Sequence, residues 1–240
     1  MIINMSHKVH PKIFRIKGTE DWESRGFYGK NFALYLEEDF KIRKFLDSRI
    51  GKFGVGRIEI ERSPGKVNVI ISSSRPGLII GRGGEGVEKL KKELINKVLR
   101  KGFVKKDKVK SRQKSGLRLE IREIKNPWTY ASLVALWMVD QIEKRMRYRR
   151  VLKQTLGKVM SQKGVKGARV ELTGRLNGIA ISRKEWLKQG LLPRQTIRAN
   201  IDYSLKIAKC SYGVIGVKVW IYKGEKFKEH GNTATQENKT

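Results

Sequence analysis

The sequence predicts an α+β protein of two domains, and three observations support this prediction. The chain has 240 residues, a length that fits one large domain or two ordinary ones. Hydrophobic residues make up 39% of the chain, which is enough to build real cores. Helical spacing of apolar residues is followed by strand-like alternation, and this sequence of patterns starts again after Asn126-Pro127. We therefore expect one α+β unit on each side of that junction.

The first half is predicted to contain a three-stranded sheet backed by helices. A helix is expected from Asn31 to Ile50, where apolar residues recur at three- and four-residue steps. Two alternating stretches flank the turn signal Pro64-Gly65 and predict a hairpin. The remaining elements are a short apolar run at 78–80, a helical stripe at 87–98, a basic loop at 100–115 and a third strand at 117–121. The predicted order is helix, hairpin, helix, helix, strand.

The second half is predicted to contain two helices and a four-stranded, mainly antiparallel sheet. Asn126 is a good N-cap residue and Pro127 suits the first helical position, so a helix is expected to begin there. A second helical stripe carries Leu152, Leu156 and Val159. Four alternating stretches predict strands, at 170–172, 179–181, 197–203 and 215–221.

The charge of the chain indicates a polyanionic partner. Lys and Arg number 54 against 23 Asp and Glu, for a net charge of +31, and such self-repulsion favours binding to nucleic acid over an anionic membrane. The single cysteine, Cys210, excludes an internal disulfide framework. The three histidines lie near the termini; His7 and His10 could hold a metal together, but no third ligand lies near them, so a metal site is not expected. We find no apolar stretch long enough to span a membrane and no export signal. We therefore expect a soluble, cytosolic protein without metal or cofactor.

A glycine-rich stretch, Gly81-Arg82-Gly83-Gly84, is the first candidate site. Between two short helices such glycines let a nucleic-acid backbone approach the protein amides, as in the KH module, which clamps about four nucleotides. Gly81, Gly83 and Gly86 also satisfy the G-x-G-x-x-G fingerprint of dinucleotide-binding enzymes, and a plain helix–helix turn is a third interpretation. The surrounding helix–hairpin–helix–strand order favours the KH loop.

A basic run at 144–153 is the second candidate site. On one continuous helix Arg145, Arg149 and Lys153, each four residues apart, would form a ridge that matches a phosphate backbone. Tyr148 lies among arginines, where it could stack on a base. The alternative is a solvated basic face, but the absence of acids after Glu143 favours a binding surface.

Enzymatic chemistry is not expected. The sequence has no phosphate-binding P-loop, no nucleophile elbow and no histidine in its folded centre. The acidic cluster Glu37-Glu38-Asp39 is interpreted as a solvated helix face, and Trp137 and Trp220 as core or partly buried residues.

Six stretches in the same order give the chain a close resemblance to a known family, over about residues 7–224. They are HKVHP (7–11), RPGLIIGRGG (75–84), YRRVLK (148–153), TGRLNG (173–178), RANIDY (198–203) and YGVIGVKVWIYKG (212–224). Together they resemble the universal third protein of the small ribosomal subunit in its bacterial form. A free-standing KH-type regulator is the runner-up, and an NAD-type oxidoreductase a distant third.

The charge and periodicity of the chain predict a basic arm at 1–17, domains at 18–126 and 127–222, and a disordered tail at 223–240. The resemblance implies that the first domain is a type II KH domain and that the second is an α+β domain. It also implies that Arg149, Arg150 and Lys153, with Arg145 beside them, line the channel through which messenger RNA (mRNA) enters the subunit and help to unwind it. Gly81–Gly84 would form the KH loop. Ribosomal RNA (rRNA) and neighbouring ribosomal proteins of the subunit head are the other implied partners, with rRNA-binding residues expected at Lys8, His10, Lys12, Arg169, Arg175, Arg183, Arg194 and Arg198.

Overall fold

The computed structural model describes residues 9–16, 20–26, 31–63, 66–99 and 116–226. The Pro64-Gly65 turn, the basic loop at 100–115 and Lys8 lie outside the described residues. The helices are α1 (Pro11–Arg15), α2 (Phe32–Ile50), α3 (Pro76–Ile80), α4 (Glu85–Leu94), α5 (Ala131–Glu143) and α6 (Tyr148–Met160). The strands are β1 (Ser24–Gly26), β2 (Val55–Ser63), β3 (Lys66–Ser73), β4 (Gly116–Glu123), β5 (Gly167–Gly174), β6 (Arg183–Gly190), β7 (Ala199–Cys210) and β8 (Gly213–Glu225).

The first domain has the predicted order of helices and strands, with one additional strand. Strands β2 and β3 form the antiparallel hairpin, and β4 adds parallel to β3. The short strand β1 pairs parallel to β2, so the sheet has four strands in the order β1-β2-β3-β4. Its three residues are too few to show an alternating pattern, which explains why the sequence predicted three strands. Helices α2 and α4 cover one face through a core that includes Ile42, Leu46 and Leu94.

The acidic cluster on α2 is buried, and the prediction of a solvated face is wrong for two of its three residues. Nε of Arg62, on strand β2, donates to Oδ1 of Asp39 at 2.7 Å, and Nη1 donates to Oε2 of Glu38 at 2.9 Å. All three side chains are less than a tenth exposed. The partner lies 23 residues away in the sequence, which hid the pairing from any local pattern.

The second domain is the predicted two-helix, four-stranded antiparallel unit, with strand order β6-β5-β8-β7. Helices α5 and α6 pack on one face, over a core that includes Val170, Leu172, Val217 and Val219. The helix expected at Asn126 is only a single 3-10 turn, Pro127–Thr129, and α5 begins at Ala131. There the backbone N–H of Ala131 donates to Oδ2 of Asp202 at 2.7 Å, so a remote side chain on β7 caps the helix.

One strand prediction in this domain, at 179–181, is wrong. Ile179 and Ile181 are exposed and belong to no strand; the partner of β5 is β6, which begins at Arg183. The guanidinium of Arg175 donates to the carbonyls of Ile179 and Tyr212, which holds the intervening chain in an irregular turn.

The remaining strand limits also differ from the prediction. Strand β7 begins at Ala199, and Ile197 lies outside it. Strand β8 continues to Glu225, because Glu225 pairs with Ala199, so a tail cannot begin at 223. Residues 227–240 lie outside the described chain.

The N-terminal arm is anchored on the second domain through one buried arginine. Arg15, at the end of α1, is 1% exposed. Its Nε donates to the carbonyl of Ala199 at 2.8 Å, and its Nη2 donates to those of Arg194 and Thr196 at 2.8 and 3.1 Å. Arg15, one of the cations of the predicted basic arm, therefore binds the protein's own backbone.

Candidate nucleic-acid interface

The glycine loop joins two helices, as the KH interpretation requires. Helix α3 ends at Ile80, and the loop continues as one 3-10 turn, Arg82–Gly84, into α4. Gly81, Gly83 and Gly84 have φ values of 72°, 59° and 84°, which favour glycine. The dinucleotide interpretation is wrong, because its fingerprint needs a strand before the first glycine and the structure has a helix there.

Close packing of α3 on α4 positions the loop. A Cβ atom on Gly86 would lie 2.5 Å from the carbonyl oxygen of Ile79, so only glycine permits this approach. Ile79 is buried and anchors α3 in the domain core, whereas Arg82 and Gly83 are exposed. The loop is thus a rigidly mounted, exposed turn that carries one cation.

The basic run does not form one continuous helix. Helix α5 ends at Glu143 and α6 begins at Tyr148; between them Arg145 has a φ of 60°. The prediction that Arg145, Arg149 and Lys153 form one ridge is therefore wrong for Arg145, which is exposed on the connecting turn. Arg149 and Lys153 remain four residues apart on α6, both exposed, with Arg150 exposed beside them.

The charges of α6 are arranged against its own dipole. The first turn, whose residues the structure describes in full, has no acidic residue, and the N-cap is Arg147. Cations at a helix N-terminus are repelled by the partial positive charge of the helix dipole, and together they make this end strongly positive. The first N–H groups of a helix also lack intrahelical partners. Both features favour an anion at this end of the helix.

A buried tyrosine holds the start of α6 on the edge strand. The hydroxyl of Tyr148 donates to Oε1 of Glu185 on β6 at 2.8 Å, and Nη2 of Arg149 lies 3.5 Å from the same oxygen. The Tyr148 hydroxyl, followed by Arg149, lowers the pKa of Glu185, and Glu185 in turn raises the pKa of Arg149. Tyr148 is therefore a packing residue, and the expectation that it stacks on a base is wrong. Arg149 stays 74% exposed despite its ion pair.

The residues predicted for rRNA fall into two groups. Arg175, Arg183, Arg194 and Arg198 are exposed, although Arg198 pairs with Glu225 and Arg175 organises its own turn. His10, Lys12 and Arg169 contact other parts of the protein. The His10 ring packs edge-on against Tyr203. Partial burial, and to a lesser extent the charge of Lys12, lower the pKa of His10. Nζ of Lys12 lies 3.7 Å from Asp202.

The sequence did not predict that Arg169 packs against the ring of a half-exposed tryptophan, Trp186. The Arg169 guanidinium is only 13% exposed; it donates to Glu171 at 3.0 Å and lies 4.1 Å from the ring centre of Trp186. Trp186 itself is 49% exposed. The alternation of residues 183–190 could have indicated a strand with one polar face, but no local signal placed an arginine beneath the tryptophan.

Within the described residues, no helix is both long and apolar enough to cross a membrane, and no group of three or more potential metal ligands occurs. The described residues form a pair of α+β domains, one carrying a glycine loop between helices and the other an exposed cluster of arginines. Such a fold and surface define a two-domain RNA-binding protein.

Comparisons with known proteins identify the family. Residues 41–129 match the KH domain model, and residues 138–221 match the model of the C-terminal domain of ribosomal protein S3. The small ribosomal subunit protein uS3 of Caldicellulosiruptor saccharolyticus is 42% identical over 96% of this chain and 97% of its own length. Those of Maridesulfovibrio salexigens and Endomicrobium trichonymphae are 43% and 42% identical, over 92% and 98% of this chain and 96% and 95% of their own.

The chain belongs to the uS3 family of small ribosomal subunit proteins, in its bacterial form. It is accordingly a structural, RNA-binding component of the small subunit, located with the ribosome in the cytoplasm, and not an enzyme. This membership excludes the oxidoreductase alternative and replaces the free-standing regulator with a ribosomal protein. Ribosomal RNA and neighbouring ribosomal proteins are its partners.

Proposed function

We propose that the exposed cations at the start of α6 bind mRNA as it enters the small subunit and help to open its secondary structure. The carrying observation is the charge of this helix end, where Arg147, Arg149 and Arg150 surround N–H groups that already favour an anion. Arg145 on the preceding turn and Lys153 one turn further along add to the same cluster. Glu185 and Tyr148 hold the helix end in place without neutralising it.

Arginine suits this task because its planar fork contacts phosphate oxygens and its face can stack on unpaired bases. Arg183 is the first residue of β6 and is exposed. It lies on the same face of the sheet as α6, so it extends the cluster of cations at the start of that helix. The proposed rRNA contacts are the exposed arginines at 175, 194 and 198, together with Lys8; His10, Lys12 and Arg169 serve within the protein. We also propose that the domains span 18–126 and 127–226.

The test is the triple substitution Arg149→Ala, Arg150→Ala and Lys153→Ala. Each phosphate of single-stranded RNA that is no longer neutralised should lower the slope of log affinity against log salt by roughly 0.7, so a total reduction of about 2 is expected. The slope can be measured by fluorescence anisotropy, and translation through a stable hairpin should slow. The control is Lys41→Ala, Lys44→Ala and Arg49→Ala on α2, which removes the same charge elsewhere. If both triple variants behave alike, general charge explains the effect and the proposal is wrong.

The KH loop is proposed as a second RNA contact. Replacing Arg82 and Gly83 by Asp puts two negative charges where a phosphate would lie, and we expect RNA crosslinking at the loop to disappear. Folding should persist because Gly83 has open space around its Cβ position and Asp tolerates its left-handed conformation. Persistent crosslinking in a folded variant would contradict the clamp.

A further inference from the structure

We propose that Trp186 is a stacking platform for an unpaired RNA nucleotide, on the face of the second sheet that lies opposite the helices. The site is separate from the cations of α6 and does not depend on them. Strand alternation decides the placement: Leu187 packs into the core beneath the helices, so Trp186 projects from the other face of β6. Strand β6 is an edge strand, which leaves the platform open on one side.

The ring is supported from within the protein. The Arg169 guanidinium lies 4.1 Å from the Trp186 ring centre, and Glu171, only 3% exposed, holds that guanidinium at 3.0 Å. Trp220 lies on the far side, 5.6 Å from the same guanidinium. A cation fixed against the indole orients the ring, while 49% of the residue stays exposed. The exposed part of the indole is therefore held in one orientation and is accessible to a base.

The surroundings of the platform favour RNA over an apolar protein surface. Lys184 and Lys188 lie two residues before and after Trp186 on the same face, both exposed, and Lys218 reaches the same place from β8. Arg169, Lys184 and Lys218 lie within 4 Å of the buried Glu171 carboxylate. Three cations share one carboxylate, so the group keeps a net positive charge. A planar aromatic ring between cations matches the base and flanking phosphates of one nucleotide, and such stacking tolerates any base.

Two exposed aliphatic residues of this sheet face lie far from Trp186. Leu205 and Ile207 are exposed on β7, at the opposite edge of the sheet. Three strand spacings, roughly 14 Å, separate them from β6. The surroundings of Trp186 are therefore polar and basic, and Trp220 on the far side of Arg169 is buried.

The test is the affinity of the full-length protein for a fluorescent single-stranded oligonucleotide. Trp186→Leu should weaken binding on the order of tenfold, within the range for loss of one stacked base, and should leave the salt slope unchanged. Lys184→Ala with Lys188→Ala should lower the slope by about 1.4. Trp186→Phe should stay close to wild type because a π face remains. The control is Trp22→Leu, which removes a similarly exposed indole from the first domain and should have no effect.

The outcome that overturns the proposal is wild-type affinity in a folded Trp186→Leu variant, with folding checked by circular dichroism. Ultraviolet crosslinking of intact small subunits then identifies the source of the nucleotide. An RNA adduct on the peptide that carries Trp186 in subunits without message assigns rRNA, and an adduct only after message is added assigns mRNA. Coverage of Trp186 by a neighbouring ribosomal protein, seen as a protein–protein crosslink there without an RNA adduct, would also overturn it.

Discussion

Replacing Arg62 by alanine is expected to lower the free energy of unfolding of the first domain by about 3–5 kcal/mol. The guanidinium contacts the carboxylates of both Glu38 and Asp39, and all three side chains are almost fully buried. Removing the one cation leaves two carboxylates in an apolar environment without their partner, and this desolvation cost dominates the effect. Urea unfolding followed by circular dichroism measures the change.

The control for Arg62→Ala is Arg49→Ala on the same first domain. Arg49 pairs with Glu93 at 2.7 Å, but both side chains are more than a third exposed, so a loss below about 1 kcal/mol is expected. Two variants with equal losses would contradict the buried network as the source of stability. The triple variant Arg62→Met, Glu38→Gln and Asp39→Asn removes all three buried charges. It should therefore recover part of the free energy of unfolding that Arg62→Ala loses.

Replacing Arg15 by alanine is expected to lower the free energy of unfolding by about 3 kcal/mol and to release α1 from the second domain. The guanidinium donates to the carbonyls of Pro11, Arg194, Thr196 and Ala199, so its removal orphans several acceptors at once. Hydrogen bonds to a charged group contribute roughly 1.5–3 kcal/mol each, and the losses overlap because the acceptors share one donor group. Hydrogen exchange of the amides in residues 9–16 should accelerate in the variant.

The matched control for Arg15→Ala is Lys12→Ala, on the same short helix. Lys12 makes a partly exposed ion pair with Asp202 at 3.7 Å, so its loss should cost less than about 1 kcal/mol. Unchanged hydrogen exchange after Arg15→Ala would mean that other contacts hold the arm in place.

Local patterns predicted most of the fold, and long-range contacts explain the exceptions. The apolar spacing of α2, α4 and α6 and the alternation of β2, β3 and β8 lie within the sequence itself. The start of α5 depends on Asp202, 71 residues away, and the path after β5 depends on Arg175 reaching Tyr212. Neither contact leaves a local pattern, so both regions were mispredicted.

The candidate site shows the same division. The glycine loop and the run at 149–153 were visible because their residues are neighbours in the sequence. The break at Arg145 was not, since a left-handed arginine has no signature in composition. Whether an arginine faces RNA or the protein interior depends on its partners: Arg149 stays exposed, whereas Arg15 and Arg169 are held by carbonyls or a carboxylate.

The anchoring of Arg15 has a consequence for the order of events during synthesis. Its acceptor Ala199 lies 184 residues further along the chain. At about 5–20 residues per second, roughly 10–40 s pass between the synthesis of these two residues. During that interval the first domain can fold while the arm still has no place to dock. The arm can therefore dock only after the second domain has been synthesised. In a chain truncated before Ala199, Arg15 would lack this acceptor and α1 would not be anchored.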